Sequence, residues 1–324
     1  MPRAPREQNG AASFVDEAQF VPSIFDAVRH LYDGDKQRWR FVLCGSLARK
    51  LRRMGANLLP GRSFYHRMLP LTMVEHPPDQ PPLVHAGSPL PFVWNPGERP
   101  ENPFPNSDLA TRLTFGDLPG VVAAPKADRA ELLRSIAFVH LEEEVRREAM
   151  VKDWGAFVRF MHLAALDSGQ IVNFAAISKE SGVSQPTVRS HYQLLEDMFV
   201  GFRVEAFSQS SRKTLLSTPK FLFFDLGVRH AAAGLTAAPD VVKANPGPFF
   251  EQWVGIELWK RLQYLGEGKL YHLRTKDGAE VDYVIERGRT LAPIEAKWSE
   301  RPCVQDARHL LSFMDEHPKV AKQA

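Results

Sequence analysis

Ten prolines fall between Pro77 and Pro105, and no other feature constrains the fold of this chain as tightly. Proline fixes φ and donates no backbone hydrogen bond, so neither a helix nor a central strand survives at that density. The stretch is predicted to be an extended connector, over residues 76–127, with a separate folding segment on either side of it. At 324 residues the chain has room for two or three domains.

Composition narrows the class. The chain is 44% hydrophobic and 24% charged, ordinary for a soluble globular protein. A net charge of +3 is too small to argue for nucleic acid by itself. Cys44 and Cys303 are far apart and outside any CxxC pattern, which suggests no structural zinc or disulfide framework and fits reduced thiols. No apolar run approaches the roughly 20 residues that span a bilayer, and MPRAPREQNG lacks the apolar core of a secretory signal. The expectation is a soluble, cytoplasmic protein with no membrane partner.

Residues 1–75 read as α/β. ASFVDEAQ is a short strand ending in two acids, SIFDAVRHLYD an amphipathic helix, WRFVLCGS a second buried strand and LARKLRRM a basic helix. Residues 128–218 begin with helices up to Gly169. Then Asn173 and Ser184 stand as N-caps around Gly182, with Pro186 in a first turn. Helix, glycine turn, second helix and a β-rich tail is the order of a helix-turn-helix with a wing. Residues 219–324 hold a strand (PKFLFFD), a long helix (PFFEQWVGIELWKRLQYLG), the strands KLYHLRT, AEVDYVIE and LAPIEAKW, and a last helix from about Gln305.

The stretch DGAEVDYVIERGRTLAPIEAKWS, residues 277–299, places Asp282, Glu295 and Lys297 among Val, Ile and Ala. Buried charges are costly unless paired or metal-bound. Side chains two apart on a strand share a face, so Glu280 goes with Asp282, Glu295 with Lys297, and Val281 with Tyr283 on the opposite side. On paired strands, Asp282 and Glu295 can hold a hard cation such as Mg²⁺, and Lys297 can orient water or offset phosphate charge. On the preceding helix Glu251 projects on the apolar side and is a further candidate, with Glu257 a weaker one. The plain alternative is a solvated hairpin carrying a Glu–Lys pair.

Asp16 and Glu17 end an apolar strand, the Walker B position of a nucleotide-hydrolysing α/β domain. Ser46 ends the next strand at a sensor position, and Arg62 lies among basic residues suited to phosphate.

Helix Glu251, strand Asp282, then Glu295-x-Lys297 resembles the PD-(D/E)XK nuclease core. Over nearly the whole chain, the order DEAQ, FVLCGS, LLPGR, FGDLPGVV, SGVSQPTV, PKFLFFDLGV, FFEQWVGIEL, EVDYVIE and PIEAKW is similar to bacterial AAA-type ATP-binding proteins. Those carry a C-terminal domain of unknown function. The resemblance implies a fold class of α/β: a partial P-loop/AAA-type core, a helical winged-helix middle and a PD-(D/E)XK-like α/β C-terminal domain. It implies catalytic roles for Glu251, Asp282, Glu295 and Lys297, with Mg²⁺ at Asp282 and Glu295. The family's phosphate-binding loop, GxxxxGK[ST], does not occur in this sequence. Without it Asp16, Glu17, Ser46 and Arg62 read as a remnant, ATP binds only if such a loop is supplied, and the chain reads as a fragment or a degenerate relative.

In the winged-helix reading, Gln185, Thr187 and Arg189 on the second helix, with Arg212 and Lys213 in the wing, are the candidates for nucleic acid. Three functions stand against one another. One is an ATPase relative that binds nucleic acid through a metal-dependent, nuclease-like site. The second is a regulator binding DNA through the winged helix alone. The third is a non-catalytic module that engages a protein partner.

Overall fold

The computed structural model describes residues 12–45, 61–79, 104–147, 151–207, 218–275 and 278–321. They divide into two units, Met1–Arg67 with Asp197–Phe199, and Met68–Glu196 with Val200–Ala324.

In the first unit β1 (Ala12–Val15) and β2 (Arg40–Leu43) pair in parallel, joined through α1 (Ser23–Gly34). The apolar stripe of α1 turns Phe25 and Val28 inward, as its 3.6-residue periodicity predicts. The second strand is not buried as expected: Val42 is 41% exposed and Phe14, beside it on β1, 73%. Among the described residues this sheet has two strands, and one helix cannot cover both faces of such a pair. The expected basic helix and most of the proline-rich connector lie outside the described residues.

The second unit opens with α2 (Leu109–Phe115) and α3 (Pro119–Ala123). A long helical run follows as α4 (Arg129–Arg134), a π-helical stretch (Ser135–His140) and α5 (Leu141–Arg147). After it come α6 (Trp154–Leu166), α7 (Phe174–Ser181) and α8 (Gln185–Asp197). Asp108, Asp153 and Asn173 each accept a backbone N–H of the helix they precede, a cap worth about 1 kcal/mol. Gly182 ends α7 in the left-handed region at φ 77°, where a side chain would be strained. These are the helix, glycine turn and helix expected from the sequence.

Strands β3 (Gly201–Ala206) and β4 (Lys220–Phe223) come next. Then follow α9 (Leu226–Ala232), α10 (Pro239–Ala244) and the twenty-residue α11 (Pro246–Leu265). β5 (Lys269–Arg274), β6 (Glu280–Arg287), β7 (Thr290–Ile294) and α12 (Arg308–Glu316) complete the unit. The strands form one sheet in the order β4-β3-β5-β6-β7, with β3 and β5 parallel and the other neighbours antiparallel. Strands from the expected winged-helix region and from the expected nuclease-like region are thus hydrogen-bonded to one another.

One face of the sheet packs Phe202, Val204, Leu222, Tyr283 and Ile285 against Ile256, Leu258 and Leu262 of α11. The other packs Phe207, Leu273, Val281, Val284 and Leu291 against Phe313 of α12. Val281 and Tyr283 therefore belong to opposite cores, contrary to simple alternation. The β5–β6 register shifts between Tyr271/Leu273, where Tyr271 faces Val284 and Leu273 faces Val281. The extra residue on β6 is a bulge, and a bulge breaks the two-residue period. A second difference follows at β7, which ends at Ile294, so Glu295 and Lys297 stand on the irregular segment beyond the strand.

Candidate functional site

Three elements bring the sequence candidates together. α11 carries Glu251, β6 carries Asp282 at the bulge, and the segment after β7 carries Glu295 and Lys297. β6 and β7 are paired neighbours, Tyr283 opposite Ile294. That pairing lets the Ala296 N–H donate to Asp282 Oδ2 at 2.8 Å, fixing the chain beyond β7 against the β6 carboxylate. On the helix side the Tyr283 hydroxyl donates to the Glu251 carbonyl at 2.9 Å.

Asp282 is buried, and burial together with the charges of Glu251 and Glu295 pushes its carboxyl up to about 7. The Ala296 N–H and Lys220 act the other way and are outweighed. The two glutamates act through their charges on Asp282, and the three carboxylates form one electrostatic group. Lys297 Nζ lies 2.6 Å from Glu295 Oε1; this hydrogen bond, ahead of the cost of burial, holds its ammonium above the usual lysine range. Glu295 Oε2 is shut off from solvent and has no hydrogen-bond partner.

The sequence reasoning missed Lys220. Its Nζ sits 2.9 Å from Glu251 Oε1 and 3.4 Å from Glu280 Oε1, with only 3% of the side chain exposed. Burial alone would lower its pKa, but Glu251, Glu280 and Asp282 outweigh burial and hold it above the usual range. The available signal was a lysine opening the apolar strand PKFLFFD, the same anomaly that marks Asp282.

Glu257, the weaker candidate, belongs elsewhere. Its carboxylate meets Lys260 at 3.0 Å and Arg261 at 2.6 Å and accepts the Met73 N–H at 3.0 Å. That network continues to the fully buried Asp117, which meets Arg112 at 2.8 Å and His76 at 2.9 Å. Burial would raise Asp117, but Lys260, His76 and Arg112 hold it below the ordinary carboxylate range. The arrangement clamps the segment from Leu71 to His76 onto α2 and α11; Lys260 also donates to the Leu71 carbonyl.

The other sequence candidates are dispersed. Asp16 and Glu17 follow β1 on the surface, where Asp16 Oδ1 accepts the Glu17 N–H at 2.9 Å. Arg62 is engaged by Asp33 at 2.7 Å. Ser46, Arg212 and Lys213 lie outside the described residues. On α8, Gln185 and Arg189 are exposed, Arg189 stacks over the Phe174 ring at 3.8 Å, and the Thr187 hydroxyl pairs with that of Ser184 at 2.8 Å. His191 on the same helix is buried against Phe157 and Phe160.

Asp282 and Glu295 supply the hard oxygen donors that Mg²⁺ prefers, and the unpartnered Glu295 Oε2 is a free donor among them. Among the described residues no three His, Cys, Asp or Glu side chains form a complete metal cage. A two-carboxylate set still suits Mg²⁺, which keeps several waters and takes further oxygens from phosphate.

Residues 3–76 match the family described as "AAA domain". Residues 106–238 match "Domain of unknown function (DUF8612)", and 246–324 match "Domain of unknown function (DUF4143)". An uncharacterized protein of Haemophilus influenzae is 24% identical over 331 residues, covering 98% of this chain and 73% of its own length. Uncharacterized proteins Mb2031c of Mycobacterium bovis and Rv2008c of Mycobacterium tuberculosis are each 22% identical over 290 residues, 90% of this chain. The chain spans 59% of the length of those two mycobacterial relatives. No solved structure matches the chain significantly. Among the described residues no helix is long and apolar enough to cross a membrane. By these matches the chain is similar to AAA-type, ATPase-like proteins at its N-terminal end and to two families of unknown function over the rest.

Proposed function

We propose that this AAA-domain relative binds nucleic acid through a PD-(D/E)XK-like carboxylate site in its C-terminal residues, in a manner that depends on a divalent cation. The observation that carries the reading is Glu295. One of its oxygens is tied to Lys297, the other is buried and unpartnered, and its charge acts on Asp282 across the β6–β7 pair.

Asp282 and Glu295 would hold Mg²⁺, which supplies charge stabilisation at a phosphodiester oxygen. Lys297 adds a positive charge beside the same oxygens, on a side chain that is 42% exposed. Glu251 sits behind them on α11, where Lys220 compensates its charge. Asp16 and Glu17 would serve ATP only beside a phosphate-binding loop, and the proposed reading does not draw on them.

The test is titration of the protein with Mg²⁺ or Mn²⁺ in the presence of labelled single- and double-stranded DNA, beside Asp282→Ala and Lys297→Ala. The reading requires metal-dependent binding that falls at least tenfold in both variants. Equal behaviour of all three proteins would remove it. A second reading, DNA binding by a winged helix, draws on the exposure of Gln185 and Arg189 along α8. There binding falls with Arg189→Ala and ignores both Asp282 and added metal.

A further inference from the structure

Lys220 is an unusual resident of β4. The strand is buried along its length, and β4 sits at the edge of the sheet with β3 and β5 between it and β6. Its ammonium nevertheless reaches Glu251 on α11 at 2.9 Å and Glu280 on β6 at 3.4 Å, and lies over the Tyr283 ring at 5.8 Å. A lysine so buried stays charged only because carboxylates surround it. Glu251 presents one oxygen to Lys220 while its charge still acts on Asp282. Two lysines, Lys220 and Lys297, thus flank the carboxylate group from its two ends.

We infer that Lys220 is a built-in counter-ion of the carboxylate site, holding Glu251 out of metal coordination and so limiting the site's affinity for divalent cations. This rests on the proposed metal-dependent reading and deepens it. A fixed positive charge next to a carboxylate cluster repels an incoming cation and withdraws one donor from it. Asp282 and Glu295 are the donors left to the metal, which suits an ion that completes its shell with water and phosphate. Replacing Lys220 by a neutral residue frees Glu251 and removes the repulsion, and both effects tighten metal binding.

The experiment is calorimetric titration of the full chain with Mn²⁺ alone, with no nucleic acid. Wild type is compared with Lys220→Met, Lys220→Gln, Lys220→Arg, Asp282→Ala and the double variant Lys220→Met/Glu251→Gln; circular dichroism checks each fold. The expected result is a tenfold or greater gain in Mn²⁺ affinity in the neutral Lys220 variants. Lys220→Arg, which keeps the charge, should stay within threefold of wild type. The double variant should lose most of the gain. Lys220→Gln guards against misfolding: its amide can still donate to Glu251, so its gain comes from the lost repulsion alone. Mn²⁺ affinity in a folded neutral variant that equals or falls below wild type overturns the inference, while loss of binding in Asp282→Ala would leave the site reading intact. No Mn²⁺ binding in any protein overturns both. Unfolding of every neutral variant also overturns it, since Lys220 would then serve the fold and not the site.

Discussion

Gly255 faces Tyr283 so closely that a β-carbon on the glycine would lie 2.3 Å from the tyrosine hydroxyl and 2.4 Å from its ring carbon. The same hydroxyl donates to the Glu251 carbonyl one helical turn earlier. α11 therefore approaches β6 only because residue 255 has no side chain, and this approach sets how far Glu251 stands from Asp282. Alanine at 255 gains about 1 kcal/mol of helix propensity but meets a clash of about 1–3 kcal/mol. Gly255→Ala should lower the urea midpoint and weaken metal-dependent DNA binding together. Tyr283→Phe alone should cost about 1 kcal/mol for the lost hydrogen bond. It should not rescue Gly255→Ala, because the ring carbon still clashes. A rescued double variant would mean the contact is with the oxygen alone.

The network around Asp117 is the second place where one residue holds several elements. Asp117 meets Arg112 and His76, its carbonyl accepts the Leu71 N–H at 2.8 Å, and its own N–H donates to Asp225 at 2.7 Å. Removing one member of a buried ionic set strands the others, at about 3–5 kcal/mol. Asp117→Ala should show a loss of that size in urea unfolding and faster proteolysis between Met68 and Asp79. Lys260→Met added to it should cost less than the sum of the two single changes, since the partners are shared. Strict additivity would show that Lys260, 3.9 Å from Asp117, acts independently.

Much of this architecture is legible in the sequence. The long helix before β5, the order β5-β6-β7 and the caps at Asn173 and Ser184 follow from periodicity and local chemistry that a reader can see within a dozen residues. The bulge on β6 does not, because it depends on which residues of β5 it faces, and so the side taken by Val281 is misread. The Asp117 set is illegible for a related reason, and Lys220 shows in the sequence only as a lysine opening an apolar strand, with its partners hidden. His76, Arg112, Asp117, Asp225 and Lys260 each look like ordinary surface polar residues until tertiary contact pairs them. Glu257 shows the converse: its place on an apolar helix side is readable, yet its partners, Lys260 and Arg261, lie beside it on the helix and make it structural.

Arg189 distinguishes the two nucleic-acid readings. Its guanidinium lies 3.8 Å from the Phe174 ring centroid, a cation–π contact worth about 0.5–1 kcal/mol at an exposed site. Arg189→Ala should reduce stability by that amount and leave metal-dependent DNA binding within twofold of wild type. A tenfold loss of DNA binding with unchanged metal dependence would move the interface to α8.

Four buried titratable groups oppose one another in their response to pH. Burial pushes the His230 and His272 imidazoles down to about 4, from an ordinary value of 6.5. The unfolded chain binds protons there that the folded chain refuses, so their share of stability is complete above pH 6.5 and is lost as pH falls toward 4. Burial pushes the Asp225 carboxyl up to about 6, and burial with Glu251 and Glu295 pushes Asp282 up to about 7, both from 3.8. For these two the folded state holds the extra proton, so their share improves on acidification and is lost as pH rises through the folded value. The opposed pairs leave wild-type stability nearly flat between about pH 4.5 and 7, and the signs emerge only in variants. His272→Gln lacks one acid-sensitive group, so relative to wild type it should gain about 2–3 kcal/mol between pH 7 and pH 4.5. Asp225→Asn lacks one alkali-sensitive group and should shift the other way over the same interval, losing about 2 kcal/mol relative to wild type as pH falls. Urea midpoints at half-unit pH steps measure both differences. Parallel profiles for the two variants would mean that neither group is buried in the form described, because desolvation is the largest cause of both shifts.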